Sequence, residues 1–154
     1  MTVDIHSLDD LDAMRRLGVA CGLEDEGRGD ETILAALGAF DGGELVGAIA
    51  LERYAGMDTA NWLAVRVDYR RQGIAAALYA ALERVARARG IRRLSVTARS
   101  PAFWLAQGFE ELPAGREADT LLGGCRECEQ YGHGCTPEAL AKSLEKPGRP
   151  AGDP

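Results

Sequence analysis

The sequence predicts an α/β (α+β) fold: a mixed, mostly antiparallel central sheet flanked by helices. Three observations carry that expectation. Asp41-Gly42-Gly43 separates the apolar-rich runs 35–40 and 44–53, a hairpin signal because glycines accept the positive φ of tight turns. Leu63, Val65 and Val67 then alternate with Ala64 and Arg66 in the period of a strand, and beyond a basic turn Ile74, Leu78, Leu82, Val85 and Ala86 recur at helical spacing. After that helix, strand and helix patterns alternate, and an antiparallel start followed by alternation gives a mixed sheet with helices on its faces.

Residues 2–7 alternate enough for a first strand, with Val3 and Ile5 on one face. Ser7 or Asp9-Asp10 can cap the helix that follows, whose stripe of Leu8, Leu11, Met14, Leu17 and Val19 runs as far as Gly22. The segment Glu24-Asp25-Glu26-Gly27-Arg28-Gly29-Asp30-Glu31 has no apolar residue and is expected to be a loop. Residues 54–59 read as a turn after the hairpin and 60–67 as the next strand. The Ala-rich helix from Ile74 should run about four turns and end near Gly90. A strand over 92–98 follows, with Leu94, Val96 and Ala98 facing one way, then a short helix from Pro101 and a strand over 108–112. The tail 146–154, Lys-Pro-Gly-Arg-Pro-Ala-Gly-Asp-Pro, cannot build a core and is expected to be disordered, leaving 1–145 as one domain.

A chain of 154 residues with 46% apolar and 27% charged residues suits one soluble domain with a real core. No apolar run approaches the roughly 18 residues needed to span a membrane. The start, Met1-Thr2-Val3-Asp4-Ile5-His6, lacks the basic and apolar regions of a signal peptide, so a cytoplasmic location without membrane attachment is expected. Net charge is −6, yet residues 66–99 carry nine arginines against Asp68 and Glu83, a local +7 that leaves −13 for the rest. An acidic body with one basic segment argues against nucleic-acid binding, which wants a broad basic face. It suits a compact polyanion. Arg84, Arg87, Arg89, Arg92 and Arg93 are expected to be the solvated back of the helix and its exit turn.

The junction Asp68-Tyr69-Arg70-Arg71-Gln72-Gly73-Ile74-Ala75 concentrates that charge at a helix start. First-turn amides lack intrahelical acceptors and the helix dipole places positive potential there, so a phosphate or pyrophosphate fits. Gly73 lets backbone approach a ligand closely, and Arg70 and Arg71 add charge around it.

The string Arg70-Arg71-Gln72-Gly73-Ile74-Ala75, preceded by Leu63-Ala64-Val65, closely resembles the acetyl-CoA signature of the GNAT N-acetyltransferases, Q/R-x-x-G-x-G/A after an L-x-V strand. Pro101-Ala102-Phe103-Trp104-Leu105-Ala106-Gln107-Gly108-Phe109 looks like the family's short helix running into a "GF" strand start. The resemblance covers roughly residues 2–145. It implies the GNAT fold and an acetyl-CoA-dependent N-acetyltransferase acting on a small amine. It further implies that backbone groups around Ala64, Val65 and Val67 hold the pantetheine arm, and that the N–H groups of Arg71, Gln72, Gly73, Ile74 and Ala75 hold the pyrophosphate. In the family the connection between the first two helices borders the acceptor site, which makes the acidic 24–31 loop a candidate for selecting a cationic amine.

Acetyl transfer needs an unprotonated amine, hydrogen-bond donors for the developing oxyanion, and a fate for the thiolate. The chain departs from the family pattern at both acid–base positions. Many relatives carry a Glu six residues before the last Val of the signature strand, where this chain has Thr59 with Asp58 beside it; Asp58 or Glu52 can serve as base through water. Trp104 stands where many members have a tyrosine acid. Indole cannot protonate a thiolate, so Trp104 is expected to pack along the CoA arm or the core, and Tyr69, Tyr79 and Tyr131 remain as candidate donors.

The stretch Cys125-Arg126-Glu127-Cys128-Glu129-Gln130-Tyr131-Gly132-His133-Gly134-Cys135 places three thiols and an imidazole within eleven residues. Cys125, Cys128, His133 and Cys135 match a tetrahedral zinc inventory, but the last Cys follows the His too soon for a zinc knuckle. A zinc site, a redox or substrate-binding thiol group, and reduced structural cysteines in a last strand and turn all remain open; Cys21 is most simply a small apolar residue. With Pro137, Ala139, Lys142 and Leu144, this end is similar to that of amino-acid N-acetyltransferases of the N-acetylglutamate synthase-like type. That similarity tilts the acceptor toward a small amino acid, whose carboxylate Arg53 or Arg99 could pair. Two alternatives stand beside the enzyme: a CoA-binding regulatory module without catalysis, and a Cys/His zinc-like interaction element added to a working enzyme. A homodimer is compatible with the sequence, though no residue demands one.

Overall fold

The computed structural model describes residues 3–23, 31–126 and 137–145, with backbone only at 31 and 124–126. Residues 24–30 of the acidic loop, Cys128, Tyr131, His133 and Cys135, and the tail 146–154 lie outside the described residues.

Within the described residues one sheet of seven strands forms: β1 (Asp4–Ser7), β2 (Glu31–Asp41), β3 (Glu44–Tyr54), β4 (Met57–Val65), β5 (Arg93–Ala98), β6 (Glu110–Glu111) and β7 (Glu138–Ser143). Their order is β1-β2-β3-β4-β5-β7-β6. Every neighbouring pair is antiparallel except β4 and β5. The helices are α1 (Leu11–Ala20), α2 (Ile74–Ala88), α3 (Pro101–Ala106) and α4 (Arg116–Arg126). The mixed, mostly antiparallel sheet flanked by helices is thus the expected architecture.

Strand alternation sorts the core onto the two faces of the sheet. Ile49 and Leu51 of β3 pack with Leu78 and Leu82 of α2 and with Trp104 and Phe109 at α3. Ala48 and Ala50, one residue out of phase, pack with Met14 of α1 and Trp62 of β4. Ala118 and Leu121 of α4 join Ala139 and Met57 on that second face. So α2 and α3 cover one face while α1 and α4 cover the other. Leu78 and Leu82 are fully buried, each stabilising the α2 face by about 1.5–3 kcal/mol relative to exposure.

Several boundaries differ from the expected ones, each for a local reason. β2 starts at Glu31, four residues before the apolar run, because its polar start still pairs with Tyr54, Arg53 and Glu52 of β3. The turn expected over 54–59 is a two-residue hairpin, with Tyr54 opposite Met57 and with Ala55 and Gly56 at φ 50° and 79°. Asp58 and Thr59 therefore lie on β4. The strand expected to reach Val67 stops at Val65, and Val67 begins a single 3₁₀ turn, Val67–Tyr69. Arg66 fixes that exit, its guanidinium bonding Glu44 and forking onto Asp68 at 3.2 and 2.8 Å. Val19, expected in the α1 stripe, is exposed, and Gly18 takes the buried position instead. Asp10 is the helix cap, its carboxylate accepting from Ala13 N at 3.0 Å. Among the described residues the last strand is β7, Glu138–Ser143; the strand and turn expected at the cysteines fall mostly outside the described residues.

Candidate active site

β4 and β5 are in register only at Thr59 and Ser95. Beyond that point the strands part toward their C-terminal ends, and among the described residues the β4 edge over residues 60–65 has no strand partner on the β5 side. Each strand end leads into a helix on the same face: Val65 through the basic turn into α2, and Ala98 through Ser100 into α3. The opening is a wedge with its vertex at Thr59 and Ser95.

The basic turn has the geometry of an anion site. Gly73 is the N-cap of α2 at φ 79°, with no side-chain cap bond, and Arg71 also takes a left-handed conformation, φ 64°. A left-handed non-glycine costs about 1–2 kcal/mol, and such strain is found where the surrounding structure needs the backbone in one place. Among the described residues, no protein acceptor meets the backbone N–H groups of Arg71, Gln72, Gly73, Ile74, Ala75 or Ala76. Arg66 is occupied by Glu44 and Asp68, whereas Arg70 and Arg71 meet no carboxylate among the described residues. Arg70 is aimed by its Nε, which donates to Val65 O at 3.0 Å. Helix amides and two uncompensated guanidinium groups converge on one exposed turn.

Ala64 and Val65 lie on the open part of β4. Val67, expected beside them, belongs to the exposed turn and not to the strand edge. Sequence reasoning did not find the irregularity between them and the vertex. Ala48 faces Ala64 but Ala50 faces Asn61, so β4 carries one extra residue there. At this bulge Trp62 has φ 57°, its N–H taken by Asn61 Oδ1 at 2.7 Å. A bulge re-aims side chains and breaks the ladder. Nothing in the residue types announced it; the left-handed Trp is visible only in the backbone.

The two carboxylates proposed for base chemistry part company. Glu52 and Asp58 sit on adjacent cross-strand rows, hence on opposite faces of the sheet. Asp58 is engaged by Arg53, whose Nε and Nη2 reach its Oδ1 at 3.1 and 2.7 Å. Glu52 is fully buried on the α1 face, opposite Thr59 at the vertex of the wedge. Asn61 Nδ2 donates to its Oε2 at 3.4 Å, and Thr59 Oγ1 donates to its main-chain oxygen at 3.2 Å.

The remaining candidates are placed as follows. Trp104 is 6% exposed, in edge-to-face contact with Tyr79, Phe103 and Phe109 at 5.1–5.6 Å between centroids; it belongs to the core. Tyr79 is buried and donates to Glu83 at 2.8 Å; burial, then that bond to a carboxylate, push its phenol far above the ordinary range. Tyr69 donates to Asp41 at 2.6 Å, which likewise raises it. Arg53 is held by Asp58, and Arg99 donates to Gly22 O at 2.7 Å, tying the end of β5 to the end of α1. Cys21 Sγ lies 3.6 Å from Val65 O. The arginines expected to be merely solvated also make links: Arg93 to Glu117 at 2.6 Å, and Arg87 to Glu83 and the Leu144 carbonyl. For the metal candidates, Cys125 falls in α4 by backbone alone, and Cys128, His133 and Cys135 lie outside the described residues. Among the described residues no three His, Cys, Asp or Glu side chains gather as a metal site would need.

A model of the acetyltransferase (GNAT) family matches residues 5–109, more than half of the chain, and the chain belongs to that family. No curated protein matches the sequence. Among solved structures the chain is similar to N-acetylglutamate synthase from Neisseria gonorrhoeae complexed with coenzyme A and N-acetyl-glutamate, at 20% identity and a TM-score of 0.66. That match covers 95% of this chain but 36% of the other, so the chain spans about a third of that longer protein. It is also similar to an IAA acetyltransferase from Bacillus cereus, at 18% identity and TM-score 0.69, over 92% of this chain and 99% of that one. A PaiA N-acetyltransferase from Thermoplasma acidophilum in complex with coenzyme A shares 16% identity and a TM-score of 0.62, over 93% and 99% of the two chains. At these identities the likeness is one of fold. No helix among the described residues is long and apolar enough to cross a membrane.

Proposed function

We propose that this acetyltransferase moves an acetyl group from acetyl-CoA to the primary amine of a small molecule, with an amino acid as the favoured acceptor class. The observation that carries the reading is the wedge between β4 and β5 with its basic anion turn at one lip. The pyrophosphate of CoA is held by the amides from Arg71 to Ala75 and by the Arg70 and Arg71 side chains. The pantetheine arm runs along the open β4 edge at Ala64 and Val65, which brings the thioester toward the Asn61–Trp62 bulge. Trp104 contributes from the core, backing the wall of the wedge rather than touching the arm.

Glu52 is the base. It is a carboxylate buried at the vertex, oriented by Asn61, and it takes the proton of the acceptor ammonium directly or through water. The free amine attacks the thioester carbonyl, the oxyanion is held by donors of the unpaired β4 edge, and the C–S bond breaks. Glu52 releases that first proton to solvent and takes the second N–H proton as the tetrahedral intermediate collapses; this proton ends on the thiolate, giving the neutral amide and free CoA. No tyrosine is required for that last transfer, in keeping with a Trp at position 104 and with Tyr69 and Tyr79 committed to Asp41 and Glu83. Asp58 is a structural partner of Arg53. An acidic or amino-acid acceptor would use Arg99, since Arg53 is already paired.

The test is release of free CoA from acetyl-CoA against pooled amino acids, polyamines and aminoglycosides, with Gly73→Asp as control and protein thiols counted beforehand. Turnover with the amino-acid pool that disappears in the control is the expected result. Tight CoA binding with no turnover across every pool would overturn it in favour of a binding module.

A further inference from the structure

β7 carries a cation that neither anion binding nor acetyl transfer accounts for. Lys142 is aligned with Leu94 of β5, one residue from Ser95, the only β5 residue registered with β4. Its parity is that of Leu140, so its side chain rises on the α2–α3 face. There Nζ donates to Glu83 Oε1 of α2 at 2.6 Å and to the carbonyl of Gln107, the C-cap of α3, at 2.8 Å. It also lies 5.4 Å from the centroid of the Tyr79 ring. The same Glu83 accepts from Tyr79 at 2.8 Å and from Arg87 at 3.4 Å. Among the described residues no other side chain bonds both helices.

The surroundings are shaped to this side chain. Lys142 and Glu83 are about four-fifths covered. A cation at a helix C-terminus meets the negative end of its dipole, adding to the charge-assisted bonds. Gly108 has φ 96°, and a Cβ there would stand 3.2 Å from Lys142 Cε. The glycine of the "GF" pair thus leaves the passage through which the lysine stem reaches Gln107.

We infer that Lys142 is a positioning residue for the acyl-CoA wedge: it pins α2 and α3 together at the vertex and so sets how far β4 and β5 open beyond it. The inference rests on the acyl-CoA reading above. The anion turn begins α2, while α3 follows the end of β5, so the angle between these units decides whether a ligand held at the turn also fits the strand edge. Apolar contacts of Tyr79 with Trp104 and Phe109 hold the two units close, but ring packing tolerates sliding. Two directional bonds from one ammonium do not.

The experiment measures CoA binding by titration calorimetry and the KM for acetyl-CoA in the full chain. Lys142→Met, which keeps the stem and removes the charge, should raise Kd and KM together by about tenfold, 1.4 kcal/mol, with kcat within about threefold. Lys142→Arg, which restores a cation with several donors, should recover most of the affinity. Leu121→Ala, in α4 on the opposite face, serves as a control for lost stability and should leave Kd unchanged at a comparable loss of Tm. Should Lys142→Met not fold, Glu83→Gln, which leaves the Gln107 bond, is expected to give the same KM effect at smaller size. A wild-type Kd in folded Lys142→Met, or an equal loss of affinity in Leu121→Ala, would overturn the positioning role while leaving the acyl-CoA reading intact. Absence of CoA binding by the wild type would remove both.

Discussion

Gly73→Ala separates the two roles assigned to the anion turn. In the native chain Gly73 has φ 79°, and a Cβ built there meets nothing within 4 Å. No protein atom has to move, so the effect on folding is conformational: about 1–2 kcal/mol for a left-handed alanine, partly offset by about 0.4–1 kcal/mol from a stiffer unfolded chain. A net loss near 1 kcal/mol corresponds to a fall in Tm of about 2–4 °C for a domain of this size. Binding should suffer more, because the new methyl group points into the space a pyrophosphate would fill. Loss of one charge-assisted bond, about 1.5–3 kcal/mol, raises the Kd for CoA roughly 10- to 150-fold. Gly73→Asn completes the comparison. Asn tolerates the left-handed region better, so it should keep more of the Tm while still blocking the ligand. Thermal unfolding and calorimetric titration with CoA read both quantities on the same samples. A Kd within twofold of wild type in Gly73→Ala, with the expected drop in Tm, would mean that the anion does not bind at this helix start. Recovery of affinity in Gly73→Asn would mean that backbone strain, not ligand approach, explains the glycine.

Glu52→Gln keeps the shape of the buried side chain and removes its basicity, so kcat should fall about 100-fold or more at unchanged KM for acetyl-CoA; a folded variant with wild-type turnover rules Glu52 out as base. Asp58→Ala should leave kcat unchanged and lower stability by no more than about 1 kcal/mol, the range for a part-exposed ion pair such as Arg53–Asp58, and a large loss of rate would restore Asp58 as a candidate. Tyr79→Phe should retain turnover across neutral pH while losing stability, since a phenol raised by burial and by Glu83 stays protonated there; a lost basic limb of the pH–rate profile would count against this. Burial alone would raise the Glu83 carboxyl, but bonds from Lys142 and Tyr79 outweigh it and hold it below its ordinary 4.5. Its stabilising effect is therefore complete above pH 4.5 and is lost as pH falls through the lower folded value. Acid unfolding of Glu83→Gln, followed by circular dichroism, should accordingly show a shallower decline below pH 4.5 than the wild type.

What was legible in the sequence were the features whose period or residue type is enforced locally. The glycine pair at 42–43 dictates its turn, the Ala-rich stripe of α2 ends within two residues of Gly90, and the left-handed start of α2 follows from the glycine at position 73. β7 was not legible, because Ala139, Leu140 and Ala141 are all buried between α3 on one face and α4 on the other, which erases the alternation a half-exposed strand shows. α4 had the spacing of Ala118, Leu121 and Leu122 to mark it, but its apolar stripe is short and its first turn acidic. The Ala55-Gly56 hairpin was hidden because Ala seldom takes a positive φ. That boundary bears on the site, because Asp58 was a candidate only as the neighbour of Thr59, the position where many relatives carry a Glu. As strand residues they divide by parity, and Asp58 goes to the face opposite Glu52.

The same parity explains why a family motif can suggest a place for the cosubstrate and still leave the base unassigned. Phosphate binding depends on backbone amides at a turn, and a turn is written contiguously in sequence. A general base needs only to reach the reacting amine from some neighbouring strand, and cross-strand registry makes positions seven residues apart equivalent. By the family resemblance, Thr59 stands where many relatives carry a Glu; Glu52 occupies the same row on the adjacent strand, directly opposite. A carboxylate can therefore move from β4 to β3 without leaving the vertex of the wedge. On this reasoning Thr59→Glu in a Glu52→Gln background should recover part of the lost kcat, whereas Asp58→Glu in the same background should recover none, since position 58 points away. Equal recovery by both would show that proximity along the chain, and not the face of the sheet, governs the base.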